Sequence, residues 1–85
     1  MKILLKDPAK VDAVVEKIRG KFATDGTFVM FCVPYIKEKL QGGEMVILNM
    51  DYAYDPQSQQ VKVGLTYEII SEIPTDTEFI NDKEW

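Results

Sequence analysis

Few residues of this chain have the type and spacing that chemistry requires. Asn49, Asp51 and Asp55 offer oxygen ligands close together, which suggests a cation loop. The stretch lacks the glycine and the closing glutamate of a calcium loop, so it reads as polar strand face and turn initiation. Glu68 with Glu72, and Asp76 with Glu78, are the carboxylate pairs available for acid–base work. Neither stands beside an expected pocket, and both read as solvated charge. Cys32 is the one cysteine and the chain has no histidine. A lone thiol with no imidazole to activate it and no second thiol to resolve it reads as a small buried hydrophobe. Without histidine the commonest general base and the commonest metal ligand are missing. Gly42-Gly43 follows an expected short helix and reads as its C-terminal stop, not a phosphate cradle. No catalytic residue, metal site or cofactor is expected, and the chain is not expected to be an enzyme.

The aromatic residues offer binding in place of reaction. Tyr52, Tyr54 and Tyr67 could stack on bases, as on sheet-based RNA binders, but the region is poor in Lys and Arg. The alternation places Tyr52 and Tyr54 on the face that carries Val46 and Leu48, so packing at the core or its margin is expected, with an interface as the second use.

The elements that position these residues can be read from periodicity. Residues 44–54 and 61–73 alternate almost without a break. Val46, Leu48, Met50, Tyr52 and Tyr54 share one face of the first strand, and Val61, Val63, Leu65, Tyr67 and Ile69 one face of the second. A polar connection over 55–60 makes the two an antiparallel hairpin. The apolar face is assigned to the core under the first helix. The other face is mixed, with Met45 and Ile47 beside Asn49, Asp51, Lys62, Thr66 and Glu68.

Upstream, residues 2–6 read as a short first strand. Residues 7–22 read as a helix, with Asp7 as N-cap, Pro8 at the first position and Val11, Val14, Val15, Ile18 and Phe22 as its apolar stripe. Asp25-Gly26 marks a turn over 24–27. The following apolar run is read as a strand over 27–33 and a short helix over 34–41 begun by Pro34, with Ile36 and Leu40 inward. The competing reading is one helix from Phe28 to Leu40, capped by Thr27 and kinked at Pro34. The tail from about residue 74 is acidic, and Thr75 with Glu78 has the spacing of a capping box for a short C-terminal helix.

The expected whole is a single α+β domain over 1–85, in the order β-α-β-α-β-β. Its sheet has three or four mostly antiparallel strands, with one main and one short helix packed on one face. No apolar run is long enough to span a membrane and no signal peptide is visible, so a cytoplasmic location is expected.

Charge divides along the chain. Residues 1–43 carry eight Lys or Arg against five Asp or Glu, and residues 44–85 carry two against nine, so +3 and −7 make up the −4 of the whole. The reading that fits best is a non-enzymatic protein-interaction module, such as a small inhibitor, adaptor or accessory subunit with an acidic contact surface. Its partner would be another protein of basic character, or a second copy making a homodimer. The contact residues are Met45, Ile47, Tyr52, Tyr54, Glu68, Glu72, Phe79 and Trp85. One alternative is a dimeric nucleic-acid-associated regulator using Lys10, Lys17, Arg19 and Lys21, although the negative total disfavours direct nucleic-acid binding. The other is a small-molecule-binding domain with a pocket between helix and sheet lined by Tyr67 and Cys32.

Overall fold

The computed structural model describes residues 1–24 and 26–85. Asp25, in the turn expected over 24–27, lies outside the described residues. The elements are β1 (Lys2–Leu5), α1 (Val11–Lys21), β2 (Ala23–Thr24), α2 (Gly26–Gln41), β3 (Met45–Asp55), β4 (Gln60–Ile70) and β5 (Ile80–Asn81). The fold is α+β, with a mostly antiparallel sheet and two helices. The strand order is β2-β4-β3-β1-β5. β1, β3 and β4 form the antiparallel body, and the two-residue strands β2 and β5 pair in parallel at either side.

The hairpin follows from its alternation. β3 and β4 pair from Met45↔Ile70 to Asp55↔Gln60. Leu48 is thereby set opposite Tyr67 and Met50 opposite Leu65, so every apolar residue of one parity meets its counterpart. β1 joins the other side of β3 with Ile3 opposite Leu48 and Leu5 opposite Val46. This face, under the helices, holds the main core: Ile3, Leu5, Val46, Leu48, Met50 and Val63 from the sheet with Val11, Val14, Val15 and Ile18 from α1 and Phe28, Val33, Ile36 and Leu40 from α2.

α1 starts as expected. The Asp7 carboxylate accepts the Ala9 N–H at 2.9 Å, and Pro8 opens a single 3-10 turn that leads into the α-helix. α2 corrects the preferred reading of 27–33. That run is helical, and continuous with the helix through Pro34. An all-apolar run of six residues has no period of its own. The buried positions Phe28, Val33, Ile36 and Leu40 become one helical face only when the downstream residues are included. α2 is therefore the longer helix, with 16 residues against 11 in α1. It stops as Gly42-Gly43 suggests. Gly43 N–H reaches the Leu40 carbonyl and Glu44 N–H the Lys39 carbonyl, each at 3.1 Å, with Gly43 at φ 91°. This is a Schellman stop, which needs a left-handed residue where glycine stands.

The tail holds a second correction. No helix forms over 75–80; the segment is irregular until β5, where Ile80 lies beside Ile3. The apolar side chain that would have anchored a helix is used against the sheet instead. The chain must cross β3 and β1 to pass from β4 to β5. The crossover from β1 through α1 to β2 runs the opposite way over the helical face. If 71–79 takes the opposite face, both crossovers have the same hand, as parallel connections require. Burial agrees. Leu4 and Ile47, at 0% and 4% exposure, lie on that opposite face and outside the main core.

Candidate protein interface

The hairpin is longer than the layer that covers it. Eleven antiparallel residues extend about 37 Å, whereas the eleven residues of α1 rise about 16 Å and the sixteen of α2 about 24 Å. Beyond Met50 and Val63 the helical face of the hairpin runs out from under the helices. Tyr52, Tyr54 and Val61 are exposed there, Tyr54 at 64%. This corrects the assignment of the whole apolar face to the core. Phe22, at the end of α1, meets Tyr52 edge-on with ring centroids 5.2 Å apart. Arg19, Lys21, Phe22, Gln60 and Val61 line an open groove of about 500 Å3 beside it.

The turn behind the tyrosines is tied closed by Asp55. Its carboxylate accepts the Gln57 N–H, the Ser58 hydroxyl and the Lys62 ammonium, each at 3.0 Å. Chiefly through Lys62, and then through Gln57 and Ser58, the carboxyl is held at about 2, below its ordinary 3.8. Asn49, Asp51 and Asp55 do not converge on a common point: Asp55 is engaged in this way, and Asn49 Nδ2 contacts Asp51 at 3.4 Å. Among the described residues no three Cys, Asp or Glu side chains converge as a metal-binding group.

The other expected contact residues are dispersed. Ile47 is buried, at 4% exposure, so the expectation that it offers a docking surface is corrected. Met45 beside it is half-buried. Glu68 and Glu72 are exposed, as are Asp76 and Glu78. None of these four carboxylates has an ion-pair partner among the described residues, whereas Asp12, Glu16, Glu44 and Asp55 each have one. Phe79 is half-buried and lines a groove of about 620 Å3 with Met1, Lys2 and Ile80.

Trp85 is half-buried and packs against the core beside α1, with Lys17 and Lys21 over its ring at 5.7 and 5.3 Å. The basic stripe of α1 is thus partly occupied by an aromatic ring. Arg19 lies off the stripe, paired with Glu16 at 3.3 Å. Tyr67 stands edge-on to Phe28 and tilted against Tyr35, with centroids 6.2 and 6.1 Å away. It does not line the groove beside Cys32, so the pocket imagined between these two residues does not form. Among the described residues no helix is long and apolar enough to cross a membrane.

Sequence reasoning missed the exposed side of α2. Phe31 and Met30 are each 69% exposed, and Tyr35 is exposed as well. Read as a strand buried on both faces, this run left no residue for the surface. The only available signal was the placing of Ile36 and Leu40, which fixes the buried side and so turns Phe31 outward. Compared with protein-family models, curated proteins and solved structures, the chain gives no match in any of the three.

Proposed function

We propose that this chain is a non-enzymatic protein-interaction module that acts as an inhibitor, adaptor or accessory subunit. The observation that carries this reading is the pair Tyr52 and Tyr54, exposed on the uncovered end of the hairpin and joined by Val61 and Phe22. Tyrosines held on a paired strand supply contact area at low entropic cost, and exposed aromatic clusters of this kind suit protein partners. The carboxylates of Glu68, Glu72, Asp76 and Glu78, which have no ion-pair partner among the described residues, favour a partner of basic character.

Affinity capture from the host tests this reading, with the wild-type chain and the double variant Tyr52→Ser/Tyr54→Ser compared side by side. A partner retained by the wild type should bind the variant at least about tenfold more weakly when both are purified. Its association should also slow as salt is raised. A chain that retains no protein at micromolar concentration, or a variant that binds as well as the wild type, overturns the reading.

A further inference from the structure

The outer edge of β4 is open over most of its length. β2 lies against it only at Lys62 and Val63. From Gly64 to Ile70, β4 has β3 as its sole neighbouring strand among the described residues.

The register shows which backbone groups face that edge. Met1 and Met50 exchange both backbone hydrogen bonds, at 2.8 and 3.0 Å. Met50 and Leu48 therefore turn their peptide groups towards β1, and Asn49 and Ile47 turn theirs towards β4. Thr66 and Glu68 stand opposite Asn49 and Ile47 and complete those pairs. Leu65, Tyr67 and Ile69 consequently direct N–H and C=O away from β3, onto the open edge. A row of unpaired backbone groups of this kind is a template for another strand.

An apolar helical stripe runs beside this edge. Phe28, Phe31, Cys32, Gly64 and Leu65 line a groove of about 400 Å3 between α2 and β4, and Tyr35 extends the stripe to Tyr67. Neither wall is charged. Residues 26–36 contain no Asp, Glu, Lys or Arg, and neither do residues 63–67, in a chain with 28% charged residues and a net charge of −4.

We propose that the β4 edge and the α2 stripe receive a second copy of this chain, with β4 pairing antiparallel to β4 about a two-fold axis at Tyr67. Charge permits this occupant and selects the register. Two acidic copies repel over most of their surfaces, whereas the facing stretch 64–70 carries only Glu68, which this register keeps from standing directly opposite its own copy. The axis at Tyr67 sets Leu65 opposite Ile69 and Glu68 opposite Thr66, and it pairs the whole open segment. An axis at Glu68 would place two carboxylates directly opposite each other, a destabilising arrangement. A stable interface buries about 800 Å2 on each partner. Strand edge and aromatic stripe lie side by side, so one approach buries both. The two sheets then form one continuous sheet. This surface is separate from the hairpin end that carries Tyr52 and Tyr54.

Sedimentation equilibrium of the full chain, combined with hydrogen exchange at several concentrations, tests the dimer. The wild type should sediment at twice its 9.7 kDa. The amides of Leu65, Tyr67 and Ile69 should become protected as concentration rises. Phe31→Glu alters an exposed side chain, so the fold should be retained by circular dichroism while the dimer dissociation constant rises at least about tenfold. Ile69→Pro removes one edge-facing N–H without touching the β3 ladder and should act in the same direction. Tyr52→Ser/Tyr54→Ser should remain a dimer. A wild type that is monomeric at about 100 µM overturns the proposal and leaves the edge to a strand of a different protein. A dimer that is indifferent to Phe31→Glu, with those three amides exchanging freely, overturns it as well.

Discussion

The carboxylate of Asp82 accepts the backbone N–H of Lys6 at 2.9 Å, across 76 positions of the chain. The same oxygen accepts the Asp7 N–H at 3.1 Å, and the Asp82 N–H donates to the Leu4 carbonyl at 3.0 Å. Asp82 is the one buried charged side chain among the described residues, 7% exposed. It stands where β1 gives way to the turn that opens α1. Two N–H groups that would need solvent or a capping side chain are satisfied by one carboxylate from the far end of the chain. The sheet's last strand and its first crossover are thereby held together.

Asp82→Ala leaves both partly buried donors without their acceptor. Hydrogen bonds to a charged acceptor contribute about 1.5–3 kcal/mol each, and part of that is recovered by solvent, so a loss of about 2–3 kcal/mol is expected. Asp82→Asn keeps one acceptor and should lose about half as much. Urea unfolding gives both values. Trp85 is the only tryptophan, and its emission should shift to the red in Asp82→Ala before the main transition, because β5 and the residues after it are released first.

The hairpin was the most legible part of the chain because its signal is local and repeated. Every second residue from Val46 to Met50 is buried and lies opposite a matching position on β4. The end of α2 was legible for a similar reason, since Gly42-Gly43 meets a backbone requirement. The start of α2 was not. Phe28 to Val33 are apolar at every position, and an unbroken run carries neither a period of two nor one of 3.6. The coverage of Tyr54 was also beyond reach, because it depends on how far two helices extend along a strand that alternates just as well where nothing covers it. Of the expected contact residues, Tyr52 and Tyr54 were legible as a pair on one face, while the burial of Ile47, on the face the alternation leaves mixed, is encoded by no local pattern.

Pro34 lies inside α2 with its ring exposed. It has no N–H to offer the carbonyl of Met30, four residues earlier, and its ring crowds that carbonyl. Because the ring packs against nothing in the core, Pro34→Ala loses no burial and restores one helical bond. A gain of about 1–3 kcal/mol in unfolding free energy is expected, with a helical signal at least as strong as the wild type's in circular dichroism.

Gln59 closes the β3–β4 turn in the left-handed region, at φ 56°. A side chain there is crowded by its own backbone, and glycine is not. Gln59→Gly should stabilise the chain by about 0.5–1 kcal/mol, since relief of strain exceeds the added freedom of the unfolded chain. Gln59→Val should cost at least about 1 kcal/mol, because branching at Cβ worsens the same contact. Thermal unfolding of the two variants should move in opposite directions.

Asp55 makes the stability of the hairpin end depend on pH. Its carboxyl falls from 3.8 to about 2 because Lys62 pairs with it and the Gln57 N–H and Ser58 hydroxyl donate to it. The fold therefore favours the charged form. The contribution is complete above the ordinary value of 3.8, declines as pH falls below it, and is lost once pH passes below about 2. Wild type should exceed Asp55→Asn in stability at neutral pH, by a margin that closes over that interval. Carboxyl NMR should place the wild-type midpoint at about 2. In Lys62→Met the midpoint should move only part of the way back to 3.8, because Gln57 and Ser58 still hold the charged form. A midpoint unchanged in Lys62→Met would show that the turn, and not the ion pair, sets the shift.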